Sequence, residues 1–151
     1  MRDNFNVTFE LHNTFASPSV ALARTFDMMA AGSNPAPVHG IVGPLLSASA
    51  GPVSLLASIN SLPVVGYAAT DPALSRKTER GISTYQWFSR VIPSDDQLLH
   101  SIFQACKQLN WGSVSVLYLD DPWGAGVAEA VEEQAKKFNI KVGTKQKFTP
   151  G

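Results

Sequence analysis

Cysteine is nearly absent from this chain of 151 residues: Cys106 stands alone, which excludes an internal disulfide framework and a zinc site built on thiolates. An excess of charge of either sign is absent too. Twelve basic residues balance twelve acidic ones, and no Lys or Arg cluster exceeds pairs such as Lys136-Lys137, so the basic stripe that marks a nucleic-acid surface is missing. Apolar runs of the roughly 18 residues that a membrane span needs do not occur. The start, Met1-Arg2-Asp3-Asn4-Phe5-Asn6, is polar with no apolar segment behind it and does not read as a secretory signal. No nucleophile–base pair, P-loop or glycine-rich dinucleotide fingerprint follows any strand, which argues against an enzyme. His12, His39 and His100 are scattered without metal spacing, so neither a metal nor a cofactor is expected.

What is present is organised around residues 38–96. A short apolar strand over 38–43 is followed by a small-residue loop over 44–52, then by a second apolar strand over 62–70. Apolar runs bounded by Gly and Pro suit strands buried on both faces. Val53, Leu56, Ile59 and Leu62 lie between them at helical spacing, with the helix starting near Pro52. In open parallel sheets the ligand crevice lies at the carboxyl ends of the strands, where Ser47, Ser49 and Thr70 fall.

Around this unit the chain alternates. Residues 6–12 place Val7, Phe9 and Leu11 against Thr8, Glu10 and His12, the period of an edge strand with one face buried. Ser17-Pro18 predicts a capped helix that ends near Gly32 and turns Val20, Ala23, Phe26 and Ala30 to one side. Residues 76–84 are polar and aperiodic, an exposed loop. An apolar run over 85–92 precedes Pro93-Ser94-Asp95, where Ser94 caps a helix with a stripe of Leu98, Leu99, Ile102, Phe103, Cys106 and Leu109. Cys106 on that stripe reads as a buried small hydrophobe. Residues 113–119 form a strand, Asp120-Asp121-Pro122-Trp123-Gly124 a turn, and 126–138 a helix with Val127, Ala128, Val131, Ala135 and Phe138 inward. Its solvated face sets Glu132 to Lys136 and Glu133 to Lys137 at i, i+4 spacing. A last strand begins at Ile140. Alternation of this kind means α/β with parallel sheets.

The ordered set Gly40-Ile41-Val42-Gly43-Pro44, Tyr67-Ala68-Ala69-Thr70-Asp71-Pro72-Ala73-Leu74-Ser75, Arg90-Val91-Ile92-Pro93-Ser94-Asp95 and Asp120-Asp121-Pro122-Trp123-Gly124 resembles the receptor-family ligand-binding region. That region has the type I periplasmic-binding-protein fold and is found in class C receptors, natriuretic-peptide receptors and the amino-terminal domains of glutamate-receptor channels. The Ala-Thr-Asp-Pro-x-Leu-Ser run and the double Asp look nearest to the plant glutamate-receptor-like channels. The resemblance implies an α/β fold with flanking helices and a partial two-lobe clam-shell, residues 1–92 giving a first lobe without its initial strand and 93–151 the start of the second. A fragment is expected, because an interior strand of the first sheet and the rest of the second lobe have no counterpart in the sequence.

By the same resemblance, Ser47 and Thr70 match first-lobe positions that hold an amino acid's α-carboxylate, Asp95 the carboxylate near its ammonium, and Trp123 an aromatic that covers the ligand. Leu45-Leu46-Ser47-Ala48-Ser49 stands where amino-acid-binding members have a Gly-Ser-Ser run, and Ala68 occupies a Ser position, so Ala48, Ser49 and Ala68 complete the candidate site. Ser47 and Ser49 read equally as caps of the helix that follows. Asp95 also suits the first turn of a helix in its own right. Asp120-Asp121 reads as a turn rather than a cation site. The implied function is the extracellular ligand-sensing part of a membrane receptor or channel for an amino-acid-like molecule. Membrane attachment would come through regions outside this chain, and a homodimer would form through the first lobe. The alternative is a soluble periplasmic-type solute-binding protein of a transporter.

Overall fold

The computed structural model describes residues 7–30 and 38–149. Two parallel sheets with helices beside them carry the α/β alternation expected from the sequence. The first sheet has the order β1-β2-β3, with β1 Ile41–Val42, β2 Val64–Gly66 and β3 Phe88–Arg90. Ile41 stands opposite Val64, which in turn stands opposite Phe88. These strands are shorter than the apolar runs that contain them, because only part of each run lies alongside a neighbouring strand. The second sheet pairs β4, Ser113–Leu119, with β5, Lys141–Phe148, with a register shift between Val114 and Val116.

Helix α1, Pro18–Met29, starts as the sequence indicates: Pro18 occupies the first turn and the Ser17 hydroxyl accepts from the Val20 N–H at 3.4 Å. Its buried residues are Ala21 and Thr25, however, while Ala23 and Phe26 are exposed. The small side chains are the ones turned inward where α1 packs on α2, and the Thr25 hydroxyl donates to the Ala21 carbonyl one turn back at 2.8 Å. The expected end near Gly32 lies outside the described residues, and the helix stops at Met29.

Helix α2, Ser47–Ile59, begins five residues before Pro52, which lies inside it. The expected loop is therefore helix from Ser47 onward. Its buried face is Ala50, Val53, Ser54 and Ala57, and Ile59 is exposed. No strand forms over 7–12. Val7, Phe9 and Leu11 are 65%, 89% and 99% exposed, because alternation creates a strand only when a neighbouring ladder takes its backbone groups, and none does here.

A short 3-10 turn, Pro72–Ser75, is capped at its start by Asp71, whose Oδ1 accepts from the Ala73 N–H at 2.8 Å. The loop that follows is exposed, with one antiparallel bridge between Lys77 and Ser83. Helix α3, Asp95–Gln108, follows Ser94, whose hydroxyl bonds to the Asp96 carboxylate instead of a backbone N–H. Only Leu99, Phe103 and Cys106 of its stripe are buried; Leu98, Ile102 and Leu109 are exposed. Helix α4, Pro122–Phe138, starts four residues before the expected Gly126, because Asp121 caps it by accepting from the Gly124 N–H at 2.6 Å. Val127, Ala128, Val131, Ala135 and Phe138 do turn inward. Glu132 pairs with Lys145 of β5 rather than with Lys136.

Burial divides unevenly between the two sheets. Leu99, Phe103, Cys106, Ala130, Val131, Ala135 and Ile140 form one continuous apolar cluster beside β4 and β5. The first sheet has two smaller clusters, Ala50 with Ala69 and Leu74, and Ala57 with Leu62 and Val64.

Candidate functional site

Three of the residues singled out from the sequence meet directly. The Trp123 indole N–H is shared between the Asp95 carboxylate, at 2.7 Å, and the Thr70 hydroxyl, at 3.2 Å. The Asp95 backbone N–H donates to the Thr70 carbonyl at 3.0 Å. Ser47 is one step away: its hydroxyl accepts from the backbone N–H of Asp71 at 3.3 Å. Ser49 does not reach this group; its hydroxyl is buried in α2 and has no partner among the described residues. Ala48 and Ala68 are half-buried and carry no polar side-chain atom.

Three of these residues are positioned by the start of a helix. Ser47 is the first residue of α2, Asp95 the first of α3, and Trp123 the second of α4. All three first turns bond to Thr70 or Asp71, in the segment that follows β2 rather than at the strand end expected for Thr70. Helix starts carry unsatisfied N–H groups and the positive end of the helix dipole, so this place favours negative charge by roughly 0.3–1 kcal/mol per helix. Hydroxyls beside helix starts can donate to an anion, and a carboxylate at the same place can face a cation. Ser47 and Thr70 were expected near strand ends and Asp95 was added by the family resemblance, but the convergence of three helix starts was not expected, because α2 and α4 were each expected to begin later.

Two further residues shape the site. Arg90, at the end of β3, donates from Nη1 to the carbonyls of Ala69 and Asp71, at 3.1 and 3.0 Å, and from Nη2 to the Ser75 hydroxyl. It thereby fixes the segment that carries Thr70. Burial holds its guanidinium below the ordinary value, against the raising influence of Asp96, Asp71 and Asp95. Asp71 is buried beneath that segment, and its carboxyl is pushed up chiefly by desolvation, opposed by the Ala73 N–H and by the charges of Arg76 and Arg90. Asp71 also accounts for a glycine. A Cβ added at Gly126 of α4 would lie 2.4 Å from Asp71 Oδ1, so only a residue without one lets α4 approach this closely. The sequence signal for both was present: Arg90 and Asp71 lie in the quoted motifs without a role of their own.

Asp120 and Asp121 have local partners. Asp120 pairs with Lys147 at 2.9 Å and Asp121 caps α4. Among the described residues no group of His, Cys, Asp or Glu could hold a metal ion, and no helix is long and apolar enough to cross a membrane.

Comparison with known proteins agrees with this architecture. The family described as receptor family ligand binding region matches residues 2–151. Metabotropic glutamate receptor-like protein E of Dictyostelium discoideum is 31% identical over 114 residues, 76% of this chain and 13% of that protein. Glutamate receptor 2.1 of Arabidopsis thaliana is 26% identical over 75% of this chain and 12% of its own length. Glutamate receptor 3.1 of Oryza sativa subsp. japonica is 28% identical over 74% and 11% respectively. The chain thus spans roughly an eighth of the curated relatives it matches. The family is one of receptor ligand-binding regions rather than of enzymes, and the parallel sheets with flanking helices are those of its periplasmic-binding-protein-like fold. Matched by that family along nearly its whole length, the chain belongs to the receptor family ligand-binding regions.

Proposed function

We propose that the chain is part of the extracellular sensing region of a glutamate-receptor-like membrane protein and that it takes a small amino-acid-like molecule. The observation that carries this reading is the Trp123 indole shared between Thr70 and Asp95, which joins an acceptor hydroxyl, a carboxylate and an aromatic plane at one point. In this reading residues 1–92 form one lobe and 93–151 the start of the other. The ligand's α-carboxylate lies on the hydroxyls of Ser47 and Thr70, its ammonium faces Asp95, and Trp123 covers it, with Ala48 and Ala68 lining the first lobe. Hydroxyls bind a carboxylate without a fixed charge of their own, and each hydrogen bond to a charged group contributes roughly 1.5–3 kcal/mol. Anchorage in the membrane belongs to regions outside this chain. A homodimer contact on α1 and α2 is supported by exposed Leu22, Phe26, Leu55 and Ile59.

Calorimetric titration with the common amino acids tests the reading. At least one of them binds, and Thr70→Ala and Asp95→Ala each weaken that binding by about tenfold or more, equivalent to about 1.4 kcal/mol. Silence from every amino acid, or binding indifferent to both substitutions, overturns it.

A further inference from the structure

Of the seven asparagines in the chain, Asn6 alone is followed at the second position by Ser or Thr across a residue other than Pro: Asn6-Val7-Thr8. That spacing is the acceptor signal for N-linked oligosaccharide on a surface segment of a secreted protein. Asn6 itself lies outside the described residues; the rest of the signal lies within them. Val7 is 65% exposed, and Thr8 is exposed as well. Residues 7–14 form neither helix nor strand, so the backbone around the signal is not tied into secondary structure that would withhold it from a modifying enzyme. In the sequence Asn6 belongs to the polar set Asn6, Thr8, Glu10 and His12, which alternates with Val7, Phe9 and Leu11. Glu10 and His12 meet at 2.7 Å, so polar members of the set group together. Phe9 and Leu11 are 89% and 99% exposed, an apolar run that no packing among the described residues covers.

We propose that Asn6 carries an N-linked oligosaccharide. This rests on the extracellular part of the function proposed above, because the modification is made on chains that enter the secretory route. The donor is an oligosaccharide joined to a lipid through a diphosphate. The Asn6 side-chain amide nitrogen bonds to the anomeric carbon of the first sugar. That carbon's bond to the diphosphate oxygen breaks, the electron pair leaves with the lipid diphosphate, and the nitrogen loses one proton; nothing is oxidised or reduced. Thr8 supplies the hydroxyl of the acceptor signal and is itself unchanged. The bulky, solubilising glycan then stands next to Val7, Phe9 and Leu11 in the chain and hinders a second molecule from packing on them.

Production of the whole chain behind a cleavable secretory signal in a eukaryotic host tests the site. Chain recovered from the secretory lumen or the medium is heavier by a single oligosaccharide. Peptide-N-glycosidase removes that increment and converts Asn6 to aspartate, a change that mass spectrometry of the peptide locates. Asn6→Gln and Thr8→Ala each lose the increment completely, whereas Thr8→Ser keeps the hydroxyl and retains it. Circular dichroism confirms that each variant is folded like the parent. An unmodified Asn6 in the recovered parent, an increment that survives Thr8→Ala, or one that Thr8→Ser abolishes overturns the site. None of those results touches the ligand reading, which is decided by amino-acid titration. Conversely, a modified Asn6 together with silence from every amino acid removes the ligand reading and leaves the site standing.

Discussion

The two sheets of this molecule are held together by different means. Around β4 and β5 the strands are long, seven and eight residues, and α3 and α4 cover them with one continuous apolar cluster that includes Phe103, Val131 and Ile140. Around β1 to β3 the strands have two or three residues, the apolar clusters are small and rich in Ala, and polar joins do much of the fastening: Arg90 to two carbonyls, Ser47 to the Asp71 N–H. Stability in the second unit comes from buried area, and in the first from hydrogen bonds that fix a particular loop. The candidate site lies where the two units meet, with Ser47 and Thr70 from the first and Asp95 and Trp123 from the starts of α3 and α4, since a site for a polar molecule needs oriented donors and acceptors at a place where apolar packing stops.

The contrast breaks most readily at Phe103. Phe103→Ala is expected to cost about 3–5 kcal/mol in urea unfolding, against about 1.5–3 kcal/mol for Val64→Ala in the first sheet; equal costs would mean that the two clusters share one core. Next in size, Arg90→Ala leaves the Ala69 and Asp71 carbonyls without their donor and is expected to lose about 1.5–3 kcal/mol. Any amino-acid binding should fall with it, because Thr70 loses its support, and binding that survived intact would show that the segment is fixed by something other than Arg90. The smallest effect concerns Asp71. Its carboxyl is raised in the folded protein, so the folded form holds its proton to higher pH than the unfolded chain does. The unfolded state then binds fewer protons across that interval, and stability falls as pH rises from the ordinary carboxylate range through the raised value. Thermal unfolding followed across mildly acidic pH should show this slope, and Asp71→Asn should flatten it; an unaltered slope would place the titration elsewhere.

Legibility from the sequence follows the same division. Strand β4 carries the predicted bounds because seven residues of regular pattern leave little choice of register, and the inward face of α4 was read correctly from Val127, Val131 and Ala135. The starts of α2 and α4 were not. Pro52 was taken as a helix opener, yet helix geometry is already reached at Ser47, and Asp121-Pro122 is a cap followed by a first-turn proline that resembles a turn when read alone. Residues 7–12 failed for a different reason: period-two alternation describes side chains, while a strand also needs a neighbouring backbone. Thr70, Asp95 and Trp123 were singled out through the family resemblance, but their meeting was not legible, since residues 28 and 53 positions apart come together only through the packing of α4 on the turn after Thr70.

Strand β5 pairs with β4 along one side and presents its other edge unpaired among the described residues. An open edge of eight residues invites a second chain to continue the ladder, the step from which ordered aggregates grow. Lys141, Lys145 and Lys147 lie along that edge, and an in-register copy would stack each ammonium on its own image about 4.8 Å away. Two of these lysines already have carboxylate partners within the chain, Glu132 and Asp120. The charges that brace β5 against its own helix and turn also make it a poor template for a neighbour.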